Sequence, residues 1–248
     1  SMAEMVSRHP DRFAGFVASL SLKDMDSALG EIDRAIGELG ASGVQVFTDV
    51  GGRALDEPEF DPLFASMAVH GLPIWLHPTR TPDMADFAAE DSSSLDIWLI
   101  LGWPFATAAT MMRLVAAGLF ERHVGVKIIT HHMGGMVPFH AERVEGALYR
   151  LSHEGGGEDG GTGPYMRRPP GEMLRMFYAD TAMHGSVDGT RCGLAYFGAN
   201  NTLFGTDCPF GNIRKSLDMI DRLGLDDASR QKIMAGNARR LLGGTIDK

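Results

Sequence analysis

The chain has 248 residues, of which 44% are hydrophobic and 22% are charged, and its formal net charge at pH 7 is −9. This composition is ordinary for a globular protein, and α/β barrels of this length commonly fold as one unit, so we expect a single domain over residues 1–248. The negative charge argues against a nucleic-acid or anionic-membrane partner, because both favour basic surfaces.

The cysteine count and the apolar stretches bear on the cellular compartment and on membrane insertion. Cys192 and Cys208 are too few for a disulfide framework, and the residues after Ser1 lack the basic and apolar segments of a secretory signal. We therefore expect a cytoplasmic protein. The most apolar stretch, residues 97–119, contains Pro104, which should divide it into two shorter buried helices. We predict no transmembrane segment.

Apolar, β-branched runs alternate with segments of helical periodicity along the chain. The six predicted strands are residues 13–20, 43–47, 73–77, 127–132, 176–181 and 201–207. The predicted helices are residues 3–8, 24–39, 62–70, 97–119, 139–151, 213–223 and 228–242. Such alternation, with nearly continuous apolar strand interiors, is typical of a parallel sheet covered by helices on both faces. A closed barrel of eight strands would need two more.

One long segment interrupts this alternation. Residues 152–171 are rich in glycine and proline and have neither strand nor helix periodicity. They predict a flexible loop within the single domain, which is either a lid over a site or a solvated excursion.

The predicted fourth strand ends in two adjacent histidines, His131 and His132, followed by a glycine loop. Because strand side chains alternate between faces, only His132 is expected on the same face as Ile128 and Thr130. His131 is then the outward neighbour, hydrogen-bonded in the wall of the sheet. A histidine at the carboxyl end of a strand, before a glycine loop, lies where α/β enzymes usually carry out their chemistry.

Two other predicted strands end in a residue suited to metal binding or proton transfer, namely His77 and Asp207. His132 lies 55 residues after His77 and 75 residues before Asp207, which is too far for a local zinc finger but fits ligands collected from different strand ends. Alone, a His-Pro pair is usually a turn, and an aspartate after Gly-Thr commonly caps a helix. The three together favour an open site for a divalent metal, with Zn²⁺ expected and Mn²⁺ as the alternative.

The motifs that contain these three residues resemble the amidohydrolase superfamily. They are Leu76-His77-Pro78, His132-Met133-Gly134-Gly135-Met136-Val137-Pro138-Phe139 and Gly205-Thr206-Asp207-Cys208-Pro209-Phe210. The segments Arg12-Phe13-Ala14-Gly15-Phe16 and Ala235-Gly236-Asn237-Ala238 are also similar, so the resemblance covers nearly the whole chain. Within the superfamily, the chain resembles the branch of the aminocarboxymuconate-semialdehyde and γ-resorcylate decarboxylases.

The resemblance implies a (β/α)₈ TIM barrel of the metal-dependent hydrolase type, with one divalent ion at its mouth. By motif, His77 and Asp207 would bind the ion, and His132 would be the acid/base histidine beside it, so that His132 and Asp207 are the catalytic residues. On weaker similarity, Arg143 and His184 would line the substrate pocket. Asp180 matches a strand-end aspartate of the family to which the resemblance assigns no definite role; we expect it to support the site residues or the fold and not to take part in catalysis.

The chain departs from the family pattern at its beginning. Family members start with a strand that carries a His-x-His pair of further ligands, whereas the only early histidine here is His9, in a helix-ending His-Pro. We therefore expect an incomplete barrel that lacks the first strands, and a metal that is weakly bound or absent without that pair. The sheet edges exposed in such a barrel favour a homo-oligomer.

The resemblance also implies a reaction class. A metal-dependent decarboxylase acting on a small aromatic or unsaturated carboxylic acid is the first hypothesis, and metal-dependent hydrolysis of an amide or lactone by the same fold is the alternative. A catalytically inactive truncated barrel, or a binding protein on this scaffold, is a third hypothesis. The sequence leaves lyase and hydrolase open, because the predicted loops 49–58 and 152–171 carry no readable specificity.

Overall fold

A parallel sheet of six strands forms the centre of the protein, in a computed structural model that describes residues 1–154 and 166–243. In sheet order the strands are β1 (Ala18–Ser19), β2 (Val44–Phe47), β5 (Ile74–His77), β6 (Ile128–Thr130), β7 (Tyr178–Asp180) and β8 (Thr202–Leu203). Strands β3 (Asp49–Val50) and β4 (Arg53–Ala54) form a separate antiparallel pair after β2. Spatial order in the main sheet follows chain order, so all six carboxyl ends lie at one edge. The predicted α/β fold and its six strands are confirmed.

The observed strands are shorter than the predicted ones. Pairing begins only at Ala18, opposite Val44, and Phe13 at the start of the predicted first strand is 42% exposed. At the other end, β6 stops at Thr130, so the predicted strand reaching His132 is wrong there. The chain leaves the sheet before the two histidines, and the alternation of side chains does not extend to them.

Helices connect the strands. They are α1 (Met2–Arg8), α2 (Met25–Asp33), α3 (Asp61–His70), α4 (Ile97–Ile100), α5 (Gly102–Ala116), α6 (Leu119–Arg122), α7 (Ala141–Glu154), α8 (Pro170–Leu174), α9 (Val187–Phe197), α10 (Ile213–Arg222), α11 (Asp227–Gln231) and α12 (Asn237–Leu242). A π-helical turn extends α2 through Glu38, and another joins α11 to α12. The cap of α2 is Asp24, whose side chain accepts from the Ser27 amide at 2.7 Å.

The most apolar stretch divides three residues earlier than Pro104. Its break is at Leu101, between α4 and α5, and Pro104 lies in the first turn of α5, where a missing amide proton costs no helical hydrogen bond. Residues Ile97–Ala116 have the length and mean hydropathy, 1.4, of a membrane span, and 39% of that window is buried. Met111, Leu114 and Val115 lie in the core. That fits a core helix, and the absence of a transmembrane segment stays a prediction.

The predicted loop at 152–171 is only partly within the described residues, because 155–165 lie outside them. At its two ends the structure differs from the prediction: α7 continues to Glu154, and α8 begins at Pro170. Proline is well tolerated at the first helical position, so Pro169-Pro170 begins a helix here and does not lie in a loop.

The main core lies between the sheet and the helices. Ile74, Leu76 and Ile128 from the central strands are almost fully buried, together with Met111 of α5 and Phe177 before β7. Burying each such side chain contributes about 1.5–3 kcal/mol. The core therefore fixes the strands from which the polar residues at their carboxyl ends project.

Candidate active site

Three side chains from three strand-end loops bring their donor atoms together. His132 follows β6, His184 follows β7 and Asp207 follows β8, and one possible ligand atom of each lies within 4.8 Å of the others. The rings of His132 and His184 are stacked, with centroids 6.0 Å apart, and His184 Nε2 lies 3.3 Å from Asp207 Oδ2. Two imidazoles and a carboxylate at this spacing can hold a divalent ion.

Each of these three residues has a left-handed backbone. The φ angle is 54° at His132, 52° at His184 and 57° at Asp207. A residue other than glycine adopts this conformation at a cost of about 1–3 kcal/mol, and it persists only where surrounding contacts enforce it. In the described ranges six non-glycine residues have positive φ, and half of them are these three. Backbone strain is therefore concentrated at the donor cluster.

The ring of His132 is held in one orientation. Its Nδ1 lies 2.6 Å from the carbonyl oxygen of Ala182, and because a carbonyl only accepts, Nδ1 carries the proton and donates. Nε2 is then left with its lone pair when the ring is neutral. The backbone amide of His132 donates to Asp180 Oδ1 at 2.9 Å. His132 can thus take up and release a proton at Nε2.

Asp180 and His131 form a buried pair behind His132. His131 Nδ1 lies 2.6 Å from Asp180 Oδ2, and Asp180, the last residue of β7, is 7% exposed. His131 Nε2 is buried and has no hydrogen-bond partner among the residues that the structure describes. His131 is hydrogen-bonded, as expected, but it is not outside the site, because its ring centroid is 5.1 Å from that of His77.

A row of aromatic rings joins His77 to the cluster. Trp103, His77, His131 and His132 follow one another with centroid separations of 5.2, 5.1 and 5.9 Å. His77 Nδ1 lies 2.7 Å from the Pro78 carbonyl oxygen and donates a hydrogen bond to it. The lone pair on Nε2 then remains to bind a metal ion. A histidine whose second nitrogen donates to a carbonyl is the usual form of a metal ligand.

Burial and charge act together on the titratable groups. Burial, followed by repulsion from His131, lowers the pKa of His77 and keeps that ring neutral, as metal binding requires. Burial also opposes protonation of His131, but the charge of Asp180 and its hydrogen bond outweigh that effect and raise the pKa of His131. In turn, His131 holds the pKa of Asp180 below its usual value despite its burial. Both shifts favour the ionised form of the His131–Asp180 pair.

Arg143 lies elsewhere. It is on α7 and lines a groove against α5 with a volume of about 540 Å³, whose other walls include Phe105, Met112, Met136 and His140. No hydrogen bond or ion pair within the described ranges joins it to the donor cluster. Of the sequence-predicted site residues, the fold thus brings together His77, His132, Asp180, His184 and Asp207, and it leaves Arg143 outside this group.

Two contributors escaped the sequence reasoning. Strand alternation predicts an outward-facing His131 only if β6 continues beyond Thr130, and the strand ends at that residue. Trp103, whose ring meets His77 edge-on, lies within an apolar helix and carries no motif of its own. A signal for His131 was nonetheless present, since a second histidine directly before the family motif needs a partner of its own when buried.

The ligand atoms at this site fit a divalent metal ion. The whole sequence also matches a known protein family. Imidazole nitrogens and a carboxylate oxygen are ligands that Zn²⁺ and Mn²⁺ accept, so the group of His132, His184 and Asp207 suits such an ion. His77, at the neighbouring strand end, offers a further imidazole nitrogen. The sequence matches the model of the amidohydrolase family over residues 1–244. The chain belongs to the amidohydrolase family. Its barrel fold and its branch, predicted from the three motifs, are thereby confirmed, whereas the incompleteness of the barrel stays a prediction.

Relatives of this amidohydrolase are aromatic-acid decarboxylases by name. The γ-resorcylate decarboxylase of Rhodococcus jostii is 33% identical over 254 residues, an alignment that covers 97% of this chain and 73% of the relative. The structure of a 2,6-dihydroxybenzoate decarboxylase from Rhizobium has a TM-score of 0.81 and 28% identity, covering 97% of this chain and 74% of that one. A dihydroxybenzoic acid decarboxylase from Polaromonas, with bound manganese and 2-nitroresorcinol, has a TM-score of 0.80 and 28% identity, covering 97% and 72%.

Proposed function

We propose that this amidohydrolase is a metal-dependent decarboxylase that acts on a small aromatic carboxylic acid. The observation that carries the proposal is the convergence of His132, His184 and Asp207 from three strand ends, each with a strained backbone. Strain of this kind is retained where function requires it. The γ-resorcylate and 2,6-dihydroxybenzoate decarboxylases, which align over nearly the whole chain, act by name on hydroxybenzoates, and this supports the substrate class.

The residues divide the work between metal binding and proton transfer. His77, through Nε2, and Asp207 would hold the ion, as the family motif implies, with His184 beside Asp207. The group of donor atoms that lie within 4.8 Å of one another differs from this motif, because it contains His132, His184 and Asp207 but not His77. As the family motif implies, we assign proton transfer to His132, whose Nδ1 donates to Ala182 and so leaves Nε2 to carry the transferred proton. A bound divalent ion supplies positive charge that stabilises a carboxylate or phenol oxygen of the substrate.

The reaction replaces a carboxylate on carbon by hydrogen. The carbon–carbon bond to the carboxylate breaks, its electron pair stays on the ring carbon, and CO₂ leaves. One proton must reach that carbon, and His132 Nε2, once protonated, can deliver it. The rings of Trp103, His77 and His131 meet one another edge-on beside His132, and they supply aromatic surface that a substrate ring can contact.

Metal identity is a further part of the proposal. Zn²⁺ is expected from the nitrogen and carboxylate donors, and the manganese in the Polaromonas relative supports Mn²⁺ as the other candidate. Metal content per chain of the purified protein, by elemental analysis, decides between them.

We also propose a homo-oligomer. Ile100, Leu101 and Phe105 are exposed near the start of α5, next to the groove that contains Arg143. Exposed apolar groups in such a patch favour a protein interface. Sedimentation analysis tests this, and a monomer at micromolar concentration would contradict it.

The activity is tested by CO₂ release. The protein is treated with chelator, reloaded with Zn²⁺ or Mn²⁺, and supplied with 2,6-dihydroxybenzoate, salicylate, a muconate-type acid and an aryl lactone. We expect metal-dependent CO₂ release from the hydroxybenzoates. Lactone hydrolysis without CO₂ would replace the lyase by the hydrolase hypothesis, and inactivity of the metal-loaded protein on all four would favour the inactive barrel.

A further inference from the structure

One carboxylate, that of Asp180, is held on both of its oxygens at the end of β7. Its Oδ1 accepts from the His132 amide at 2.9 Å and from the Ala182 amide at 3.0 Å, and its Oδ2 faces His131 Nδ1. A Cβ added at Gly205 of the neighbouring loop would lie 3.1 Å from Asp180 Cβ, so the loop packs closely against this side chain. The carboxylate therefore has little room to turn away from its partners.

A buried carboxylate of this kind is costly unless its partners are fixed. Removing an ionised group from water costs several kcal/mol, and only well-placed hydrogen bonds and charges offset that cost. Replacing a buried ion pair by apolar residues of similar volume is often neutral for stability. Stability alone therefore gives no reason for a buried carboxylate at Asp180, and what its oxygen atoms orient is the better explanation.

Two sets of hydrogen bonds connect Asp180 to His132. The first is direct: Oδ1 accepts from the His132 amide, and this bond anchors a residue whose φ is 54°. The second passes through Ala182, whose amide donates to Oδ1 while its carbonyl accepts from His132 Nδ1 at 2.6 Å. One oxygen atom thus fixes the backbone of His132 and also the carbonyl that selects its tautomer.

We propose that Asp180 is the positioning residue of His132, holding its left-handed backbone and its Nδ1–H tautomer so that Nε2 is presented to the substrate. The inference rests on the proposed function for its catalytic consequence, but not for its structural one. The two oxygen atoms of the carboxylate have different roles. Oδ1 positions His132 as an acceptor, whereas Oδ2 pairs with His131 as a charge.

Two substitutions separate those roles. Asp180→Asn keeps an acceptor oxygen for the two amides and removes the charge, and His131 can adapt by accepting from the new amide group. Asp180→Ala removes both. We expect Asp180→Ala to lower kcat by about 10- to 100-fold with KM changed less than about twofold, the range found when a partner behind a site residue is lost. Asp180→Asn should restore kcat to within about threefold of wild type.

A matched control removes a buried hydrogen bond without touching the site. Thr202 is fully buried in β8, and its hydroxyl donates to the Gly198 carbonyl at 2.9 Å. Thr202→Val should lower the thermal midpoint and leave kcat unchanged. If Asp180→Asn is as slow as Asp180→Ala, the charge acts and the positioning role is wrong. If Thr202→Val slows turnover as much as Asp180→Ala, lost stability explains the effect and the proposal fails.

A measurement of the His132 tautomer in the wild-type protein depends neither on activity nor on the folding of the Asp180 variants. Histidine is labelled with ¹⁵N, the protein is loaded with diamagnetic Zn²⁺, and the ring of His132 is assigned among the nine histidines by comparison with a His132→Gln sample. We expect a protonated Nδ1 and an unprotonated Nε2. A protonated Nε2 with a bare Nδ1 in wild type would overturn the inference, even if CO₂ release fails to occur.

Discussion

The protein contains histidine–carboxylate pairs in two settings, and only one of them has the features of a site. On the helices, His70 Nε2 lies 3.0 Å from Asp33, and His123 Nε2 lies 2.8 Å from Asp61. At the strand ends, His131 meets Asp180 and His184 meets Asp207. The residue types are the same in both settings, so composition does not distinguish them.

Backbone conformation and unused atoms do distinguish them. His123 has a φ of −117°, an ordinary value, and uses Nε2 for its carboxylate. His132 and His184 are left-handed, and His131 keeps a buried Nε2 without a partner within the described ranges. Helix-end pairs fasten elements to each other, whereas strand-end groups keep a donor atom available at the cost of strain.

The largest expected effect comes from His132→Ala. Removing the ring removes the proton donor and should lower kcat by about 10²- to 10⁴-fold. Metal content should remain nearly unchanged, because the proposed ligands are His77 and Asp207. Steady-state CO₂ release and elemental analysis on the same sample measure both quantities.

The matched control for that prediction is His123→Ala, which should leave turnover and metal content at wild-type levels. Equal loss of metal and activity in His132→Ala would make His132 a ligand, in agreement with the compact group that it forms with His184 and Asp207. The acid/base assignment would then be wrong.

His131→Ala should have the next largest effect, on stability. It leaves Asp180 buried without its counter-charge, and breaking a buried pair in this way costs about 3–5 kcal/mol. The equivalent change at the helix-end pair, His123→Ala, leaves Asp61 with 38% of its side chain exposed and with Arg122 still beside it. Urea unfolding of the chelated proteins should therefore give a much larger loss for His131. Similar losses would mean that the two settings do not differ energetically.

His184→Ala tests whether the third left-handed residue serves the metal. Loss of a group that contacts Asp207 Oδ2 should weaken metal affinity by about tenfold or more. Competition with a fluorescent chelator measures the affinity without any substrate. His70→Ala on α3 is the control, with no expected change, and an unaltered affinity in His184→Ala would return His184 to the substrate pocket that its sequence similarity implied.

The contrast between the two settings also explains how much the sequence could reveal. Apolar runs identified all six strands and the parallel order, because burial on both faces requires such runs. The motifs located His77, His132 and Asp207 at strand ends. Local pattern could not show that β6 ends at Thr130, since Ile128, Ile129 and the histidines read as one strand until pairing with β7 is known.

Side-chain partners were harder to predict than positions. Asp180 is 48 residues from His132 in sequence, and nothing in its neighbourhood indicates that its carboxylate accepts from the His132 amide. Arg143 shows the opposite case, because family similarity implied a place in the substrate pocket, whereas α7 carries it into the groove against α5. Long-range contacts decide both, and a single sequence does not contain them.

The smallest expected effect concerns the helix-end pair and its dependence on pH. Burial opposes ionisation of Asp61, but hydrogen bonds from His123 and Arg122 outweigh it and lower the pKa of the Asp61 carboxyl. A lowered pKa in the folded state adds stability above the unfolded-state value, about 3.9, and that stability is lost as pH falls through the folded-state pKa. Because the side chain is 38% exposed, solvent screens the pair and limits its contribution to about 1 kcal/mol or less.

Asp61→Asn should therefore lower the free energy of unfolding slightly at pH 6. Its difference from wild type should begin to shrink as the pH falls below about 3.9 and should vanish below the lower folded-state pKa. Urea unfolding at a series of pH values measures this difference. The wild-type protein should lose stability with falling pH faster than the variant, since only wild type has this carboxylate to protonate. A difference that grew towards low pH would show that Asp61 acts through packing, and the helix-end pair would then lack the electrostatic role assigned to it.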